Sequence, residues 1–440
     1  MSKKETIIRD PIHAFISLSH FDFIEPLVKT SYFQRLRRLA QLGVSVYVYP
    51  SATHNRLNHA LGAMELFVKL FDHLFKDSIN DNDVQNLKRL GVAATLLHDT
   101  GHGPFSHASE TAFEFKHEDF SKKIVAEAEI KDILQKEGID HKDVNAVISN
   151  TVTDKKVIIS QLVSSELDVD RLDYLSRDSY FTGAGFGNID LQRIVRTMTV
   201  FNDNGPLKNH AVTQFKGKYS LEAYVLARHL MYQGVYFHKA TRCVEKLIEA
   251  ALTRAEELAQ ENKLPLPDEL AFLNGGNEMT LEQHQNLDDH VIFSILAKWT
   301  KSDDPILSDL SKRILNRDLL KAIEVQQKDI SALFHKNSEI RKLLSDNGLN
   351  DAYYFLLDDP KEQPYKPYKP IRADEEASKT VMTNIFVLKE DGAPEEISDL
   401  SVSEVVNALT KYEYSFRVYV PEKYREQVRS LLGKDQIVGK

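Results

Sequence analysis

The run His98-Asp99-Thr100-Gly101-His102-Gly103-Pro104-Phe105-Ser106-His107 brings three imidazoles and a carboxylate into one short stretch. Imidazole nitrogen and carboxylate oxygen are the ligands a hard or borderline divalent ion takes, and an adjacent His-Asp pair cannot surround an ion by itself. His59 and Asp170 supply the missing ligands from two other helical segments. Two nitrogens and at least two carboxylate oxygens leave open positions for water and substrate, as in a catalytic rather than a closed structural site. Such a His2Asp2 set implies one divalent ion and accepts Mg, Mn, Fe, Co, Ni or Zn.

These side chains need helices to hold them. An apolar run (Leu90, Val92, Ala93, Ala94, Leu96, Leu97), capped by Asp81 or Asp83, ends at the His98-Asp99 doublet. A long amphipathic helix from Asn55 to Phe75 carries His59 in its first turns. Asp170, Tyr174 and Asp178 fall at i, i+4 and i+8 of another helix, which Gly183, Gly185 and Gly187 close. Arg228, Tyr232 and Tyr236 repeat that spacing on a long helix over about 220–260.

The periodicity predicts a helix over 30–42 with Phe33, Leu36, Leu39 and Leu42 inward and Arg35, Arg37 and Arg38 outward, ended by Gly43. Val44 to Tyr49, β-branched and aromatic, reads as a short strand or extended turn. Residues 6–25 read as extended, 109–135 and 141–149 as helical, and about 195–220 as β-rich. The expected fold is mainly α with short β pieces, over a core of residues 1–357. A proline-rich linker (358–372) then leads to a small α/β C-terminal domain (373–440). Strands at 383–388 and 414–420 are expected there, followed by helices at 402–412 and 421–432.

The chain has 440 residues, a formal net charge of −9 and a single cysteine, Cys243. That sign argues against nucleic acid or an anionic membrane as the partner. One cysteine excludes an intramolecular disulfide and fits a reducing cytosol, and no apolar run is long enough to cross a bilayer, so a cytoplasmic location is expected.

The pattern His59…His98-Asp99…Asp170 resembles the HD superfamily of metal-dependent phosphohydrolases. Asp10-Pro-Ile-His13, Phe33-Gln-Arg-Leu36, Gln41-Leu-Gly43, His54-Asn-Arg56, Lys116-His-Glu118, Asp168-Val-Asp170 and Asp173-Tyr174 resemble the deoxynucleoside triphosphate triphosphohydrolases of that superfamily, over about residues 7–260. The resemblance implies that His59, His98, Asp99 and Asp170 hold the metal. It places His102, His107 and His117 around the scissile phosphate, with His117 donating a proton to the leaving oxygen and Glu110 orienting a histidine. Arg56, Arg171 and Arg228 would hold the triphosphate. Gln41, Leu42, Tyr174, Asp178, Tyr232 and Tyr236 would line the sugar, Tyr236 leaving no room for a 2′-hydroxyl. Gln34, Arg37, Asp190, Arg193, Lys216, His238 and Lys239 match positions that bind a nucleotide activator between subunits, which implies a homo-oligomer, a tetramer. Lys29, Arg9 and Gln214 depart from that activator pattern. Another nucleotide reaction of the superfamily (5′-nucleotidase or phosphodiesterase) and a nucleotide-binding regulator are the alternatives.

Overall fold

A computed structural model describes residues 5–202, 207–274, 278–326, 329–362, 383–400, 406, 409, 413–414 and 416–433, without the side chains of 107–108, 361–362 and 413–414. The architecture is mainly helical with short sheets. Its centre is the helix Arg56–Leu74, packed between the helices Asn82–Leu97 and Val169–Thr182. Asn55 and Asn58 close a reciprocal cap at its start, so the chain enters this helix with Arg56 and His59 in the first turn. Its inward face (Ala60, Ala63, Met64, Phe67, Leu70, Phe71) is fully buried, and that apolar burial is the main stabilisation of a helix this long.

Gly62 makes the central crossing possible. A Cβ there would lie 2.1 Å from Nη2 of Arg177 and 2.2 Å from Oδ1 of Asp173, so only glycine lets two helices close over a charged pair. The helix Val169–Thr182 is capped by Asp168, whose carboxylate accepts from the Arg171 N–H, and stops at Gly183 with φ +70°.

Five local expectations change. Val44–Tyr49 is not a strand: Ser45–Tyr47 forms a 3-10 turn, and the Tyr49 N–H returns to the Ser45 carbonyl at 2.8 Å, so no edge is left to pair. The expected helix over 30–42 is α-helical only at Ser31–Arg35 and continues as a 3-10 turn to Arg38. Arg35 points inward, wholly buried, because its guanidinium caps the carbonyls of Leu287 (2.8 Å) and His102 (2.7 Å). The long helix over 220–260 is two helices, Lys218–Met231 and Lys239–Gln260, joined through a π turn at Tyr232–Tyr236. Residues 109–135 likewise divide into His107–Ala112, His117–Val125 and Ala128–Lys136.

The strands join distant parts of the chain. Ile7–Asp10 and Ala14–Ser17 form a hairpin. Met198–Phe201 and His210–Gln214 pair antiparallel, and Phe386–Leu388 adds parallel to the latter before pairing with Pro394–Glu396. Phe416–Val420 lies between Lys321–Val325 and Leu356–Asp358. The described strands of 373–440 are therefore shared between sheets begun by earlier segments. The strand Leu356–Asp358 reaches into the start of the expected linker. The rest of that linker from 363, and nearly all of the helix expected at 402–412, lie outside the described residues. Among the described residues, no helix is long and apolar enough to cross a membrane.

Candidate metal centre

His98 caps the end of the helix Asn82–Leu97. Its Nδ1 faces the Thr95 carbonyl at 2.7 Å, and a carbonyl can only accept, so Nδ1 carries a proton and Nε2 is the nitrogen left for a metal. His59 is arranged the same way: Nδ1 faces Oδ2 of Asp173 at 2.9 Å, which turns Nε2 toward Oδ1 of Asp170 at 3.0 Å. Nε2 of His98 lies 3.6 Å from the same Asp170 oxygen, and the Asp99 oxygens lie 3.7 and 3.4 Å from the His59 and His98 nitrogens. Both Nε2 atoms are buried with no hydrogen-bond partner. Two orphaned imidazole nitrogens converging with carboxylates fit a divalent ion.

Electrostatics agree. Burial disfavours charge on His59, yet the Asp170 carboxylate beside Nε2 and the hydrogen bond to Asp173 outweigh it and raise the imidazole to about 10. His98 is raised to about 9 against the same burial by Asp99 and Asp170. Burial opposes ionisation of Asp99 and Asp170, but the neighbouring histidines hold both below the usual carboxylate range. The site attracts positive charge, and without an ion that charge is a proton.

Behind His59 lies a buried network that joins the Asp10-Pro-Ile-His13 and Asp173-Tyr174 motifs through Arg177. Asp173 accepts from His13 (2.6 Å), His59 and both Nε and Nη2 of Arg177 (2.9 Å each), and Arg177 continues to Asp10 at 2.7 Å. Such a carboxylate fixes the tautomer and orientation of a ligand histidine. The interior Gly62, one turn after His59, was its signal in the sequence.

A second cluster adjoins the first. A Cβ on Gly101 would lie 2.1 Å from the His117 carbonyl, so the glycine lets the helix His117–Val125 abut the His-Asp turn. His117 stacks on His102 with centroids 3.8 Å apart, and its Nδ1 lies 2.8 Å from Oε1 of Glu110. Burial, with Arg56 and His117 nearby, holds His102 well below its ordinary pKa. His117 is shifted the other way: burial opposes its charge, but Glu110 prevails and raises it. One imidazole is pushed toward its neutral form and its neighbour toward its charged form. The side chain of His107, expected beside them, lies outside the described residues.

Tyr174, Tyr236 and Tyr232 form a wall beside His59, with successive centroids 6.1 and 5.0 Å apart and Tyr174 6.4 Å from the His59 ring. The Tyr236 hydroxyl donates to Asp178 at 2.8 Å, and His54 reaches the other Asp178 oxygen at 2.7 Å. Gln41 and Leu42 follow an isolated bridge, Ala40 to Asn55, and the Gln41 N–H donates to the His54 carbonyl at 3.0 Å. Arg56 donates to Asp99 (2.6 Å) and Ser106 (2.7 Å). Arg171 and Arg228 are each engaged by a carboxylate, Asp168 and Glu166.

The expected activator residues fall into three groups on separate elements. Arg37 donates to Gln34 at 2.8 Å. Asp190 caps the Arg193 N–H, and Arg193 reaches the Lys216 carbonyl at 3.0 Å. His238 caps the helix that Lys239 begins.

The sequence matches the family profile for an HD domain over residues 56–178, the stretch that holds all four candidate ligands, and that for an HD associated region over 189–434. The chain belongs to the HD-domain phosphohydrolases. It is 33% identical, over 98% of both chains, to the uncharacterized protein YwfO of Bacillus subtilis. It is 30% identical to the deoxynucleoside triphosphate triphosphohydrolase SAMHD1 homolog of Dictyostelium discoideum, over 73% of this chain and 60% of the relative. Human SAMHD1 is 26% identical over 72% of this chain and 53% of its own length. The crystal structure of a phosphohydrolase from Bacteroides thetaiotaomicron has a TM-score of 0.77, with 29% identity, covering 95% of this chain and 100% of that one.

Proposed function

We propose that this HD-domain hydrolase is a dNTP triphosphohydrolase that releases a deoxynucleoside and inorganic triphosphate. The observation that carries the reading is the pair of adjoining clusters: a His59–His98–Asp170 ligand set beside His102, which stacks on a His117 held by Glu110. His59, His98, Asp99 and Asp170 would hold one divalent ion, which supplies Lewis-acid activation of water and neutralises charge at phosphorus. Arg56, Arg171 and Arg228 hold the triphosphate in line, because guanidinium forks match phosphate oxygens. As water adds to the α-phosphorus the bond to the 5′-oxygen breaks, and His117 passes its proton to that oxygen while Glu110 steadies the imidazole.

The tyrosine wall supports a deoxyribose. Tyr236 is tied to Asp178 and cannot withdraw without breaking that hydrogen bond, and Leu42 offers a 2′-hydroxyl no partner. Identity to SAMHD1 proteins supports the same substrate class. A nucleotide activator bound between subunits of a tetramer is part of this reading. Tyr219, Leu226 and Leu230, seven and four positions apart, leave an apolar helix face 67%, 38% and 37% exposed, on which a second copy can pack. The protein's place is the cytoplasm, consistent with its lone buried thiol.

The test is hydrolysis of a dNTP mixture with each divalent metal, with and without GTP and dGTP, separating products by chromatography. Deoxynucleoside plus triphosphate is expected. Monophosphate plus pyrophosphate would move the broken bond and favour another HD nucleotide reaction, and tight nucleotide binding without turnover would favour a regulator.

A further inference from the structure

Two buried carboxylates beside the phosphate-facing arginines have no task in the proposed mechanism. Glu166 and Asp168 lie in the turn that leads into the Asp170 helix, 7% and 0% exposed. Oε2 of Glu166 lies 2.6 Å from Nη1 of Arg228, itself 3% exposed. The Asp168 carboxylate and the Ser165 carbonyl both accept from Nη1 of Arg171. Asp168 has a structural reason to be there, because it also caps the helix through the Arg171 N–H. Glu166 has none of that kind: its carboxylate is committed to the arginine.

The backbone around Glu166 is pinned on both sides. The Tyr224 hydroxyl donates to its carbonyl at 2.7 Å, and its own N–H donates to the Thr383 carbonyl at 2.8 Å. The backbone that carries the carboxylate is therefore fixed beside Arg228. Arg228 lies 5.8 Å from the centroid of Tyr232, in the tyrosine wall that runs to His59, and Arg171 follows Asp170 in the chain, so both cations lie on the side of the metal ligands.

We propose that Glu166 is a built-in counter-ion that occupies Arg228 in the ligand-free protein and must yield it to the phosphate chain, so that Glu166 sets the affinity for polyphosphate. The inference rests on the reading that Arg228 binds phosphate. A buried guanidinium without a counter-charge is costly, so the ligand-free protein gains from the pair. A bound anion then has to replace a charge-assisted hydrogen bond already made, and the intrinsic affinity of the arginine is reduced by the fraction of molecules in which it is free. An anion that cannot replace that bond fails to displace the glutamate, whereas a triphosphate with several oxygens can. Glu166 is thus a specificity-determining residue rather than a catalytic one.

The test is calorimetric titration of the full chain with inorganic triphosphate, comparing the native protein with Glu166→Gln, Glu166→Asp and Arg228→Ala. Glu166→Gln removes the charge and keeps the shape, and binding is expected to tighten by about tenfold or more. Glu166→Asp withdraws the carboxylate by one methylene and should tighten binding by less; it serves if the glutamine variant does not fold. Arg228→Ala should weaken binding by about tenfold or more. Weaker binding in Arg228→Ala with unchanged or weaker binding in the folded Glu166 variants overturns the counter-ion and leaves the arginine's role standing. Unchanged binding in Arg228→Ala overturns the phosphate role of the arginine, and the counter-ion with it.

Discussion

Asp173→Asn is the substitution that tests the metal centre without touching a candidate ligand. Each oxygen of Asp173 receives two donors: Oδ1 takes His13 and Nη2 of Arg177, and Oδ2 takes His59 and Nε of Arg177. An asparagine amide has one oxygen, so its NH2 must face two of these donors in a fully buried position. Where it faces His59, the imidazole can regain a hydrogen bond only by moving its proton from Nδ1 to Nε2, the atom the metal needs. Where it faces His13, that histidine changes tautomer and Arg177 loses an acceptor. Loss of an outer partner of a ligand histidine costs about 10- to 100-fold in metal affinity, or roughly 1.4–2.7 kcal/mol. The buried mismatch adds about 1–3 kcal/mol of lost stability. Metal titration of the apo-protein by calorimetry measures the first, and thermal unfolding with and without metal measures the second. A folded Asp173→Asn protein that binds metal within twofold of the native affinity would refute the idea that this network prepares His59.

Other outcomes follow from the same geometry. The empty site holds imidazole protons up to about 10 at His59 and about 9 at His98, against 6.5 ordinarily, so an ion must displace them. Affinity should rise between pH 6 and 8 with up to about two protons released per ion, measured by calorimetry in buffers of different ionisation heat; pH-independent affinity would contradict this. The stability of the metal-free protein runs the other way, because the folded state binds those protons more tightly than the unfolded chain. That contribution is complete below about pH 6.5 and is lost as pH rises through 9 to 10, which chelator-treated melts would reveal. Gly62→Ala drives a methyl into Arg177 and Asp173. It should cost about 1–3 kcal/mol or more and weaken metal binding as well, whereas native-like melting would mean that the helices part freely. Glu110→Gln removes the group that raises His117, so the alkaline fall in hydrolysis rate should move to lower pH; an unmoved limb would mean that another group donates the proton.

The candidate ligands were legible because each sits on a segment whose caps and apolar period are local properties: Asn55 before His59, Asp168 before Asp170, and an apolar run into His98. What escaped depends on partners far along the chain. Arg35 shares the spacing of a solvated helix charge, and the carbonyls of His102 and of Leu287, the latter more than 200 positions away, make its burial possible. Val44–Tyr49 has strand composition but no facing strand among the described residues, and it coils into a 3-10 turn. The π turn at Tyr232 is announced by no proline. Its Gly234 lies so close to Phe186 that a Cβ would sit 2.7 Å from the ring, a contact invisible to periodicity. Arg228 could be read as a phosphate ligand, but not as one already held by Glu166.

The parallel pairing of Phe386–Leu388 with His210–Gln214 has a consequence for synthesis. The metal ligands, the stacked histidines and the tyrosine wall have all left the ribosome by residue 236, yet the strand that completes their neighbouring sheet arrives some 150 residues later. Until then His210–Gln214 is an edge strand whose outer backbone groups lack their partner, and closing so long a loop is slow. A chain truncated before residue 386 therefore carries its whole candidate chemistry on a scaffold with an open, β-branched edge, the kind of surface on which nascent chains aggregate. The last part of the chain completes the first in time as well as in space.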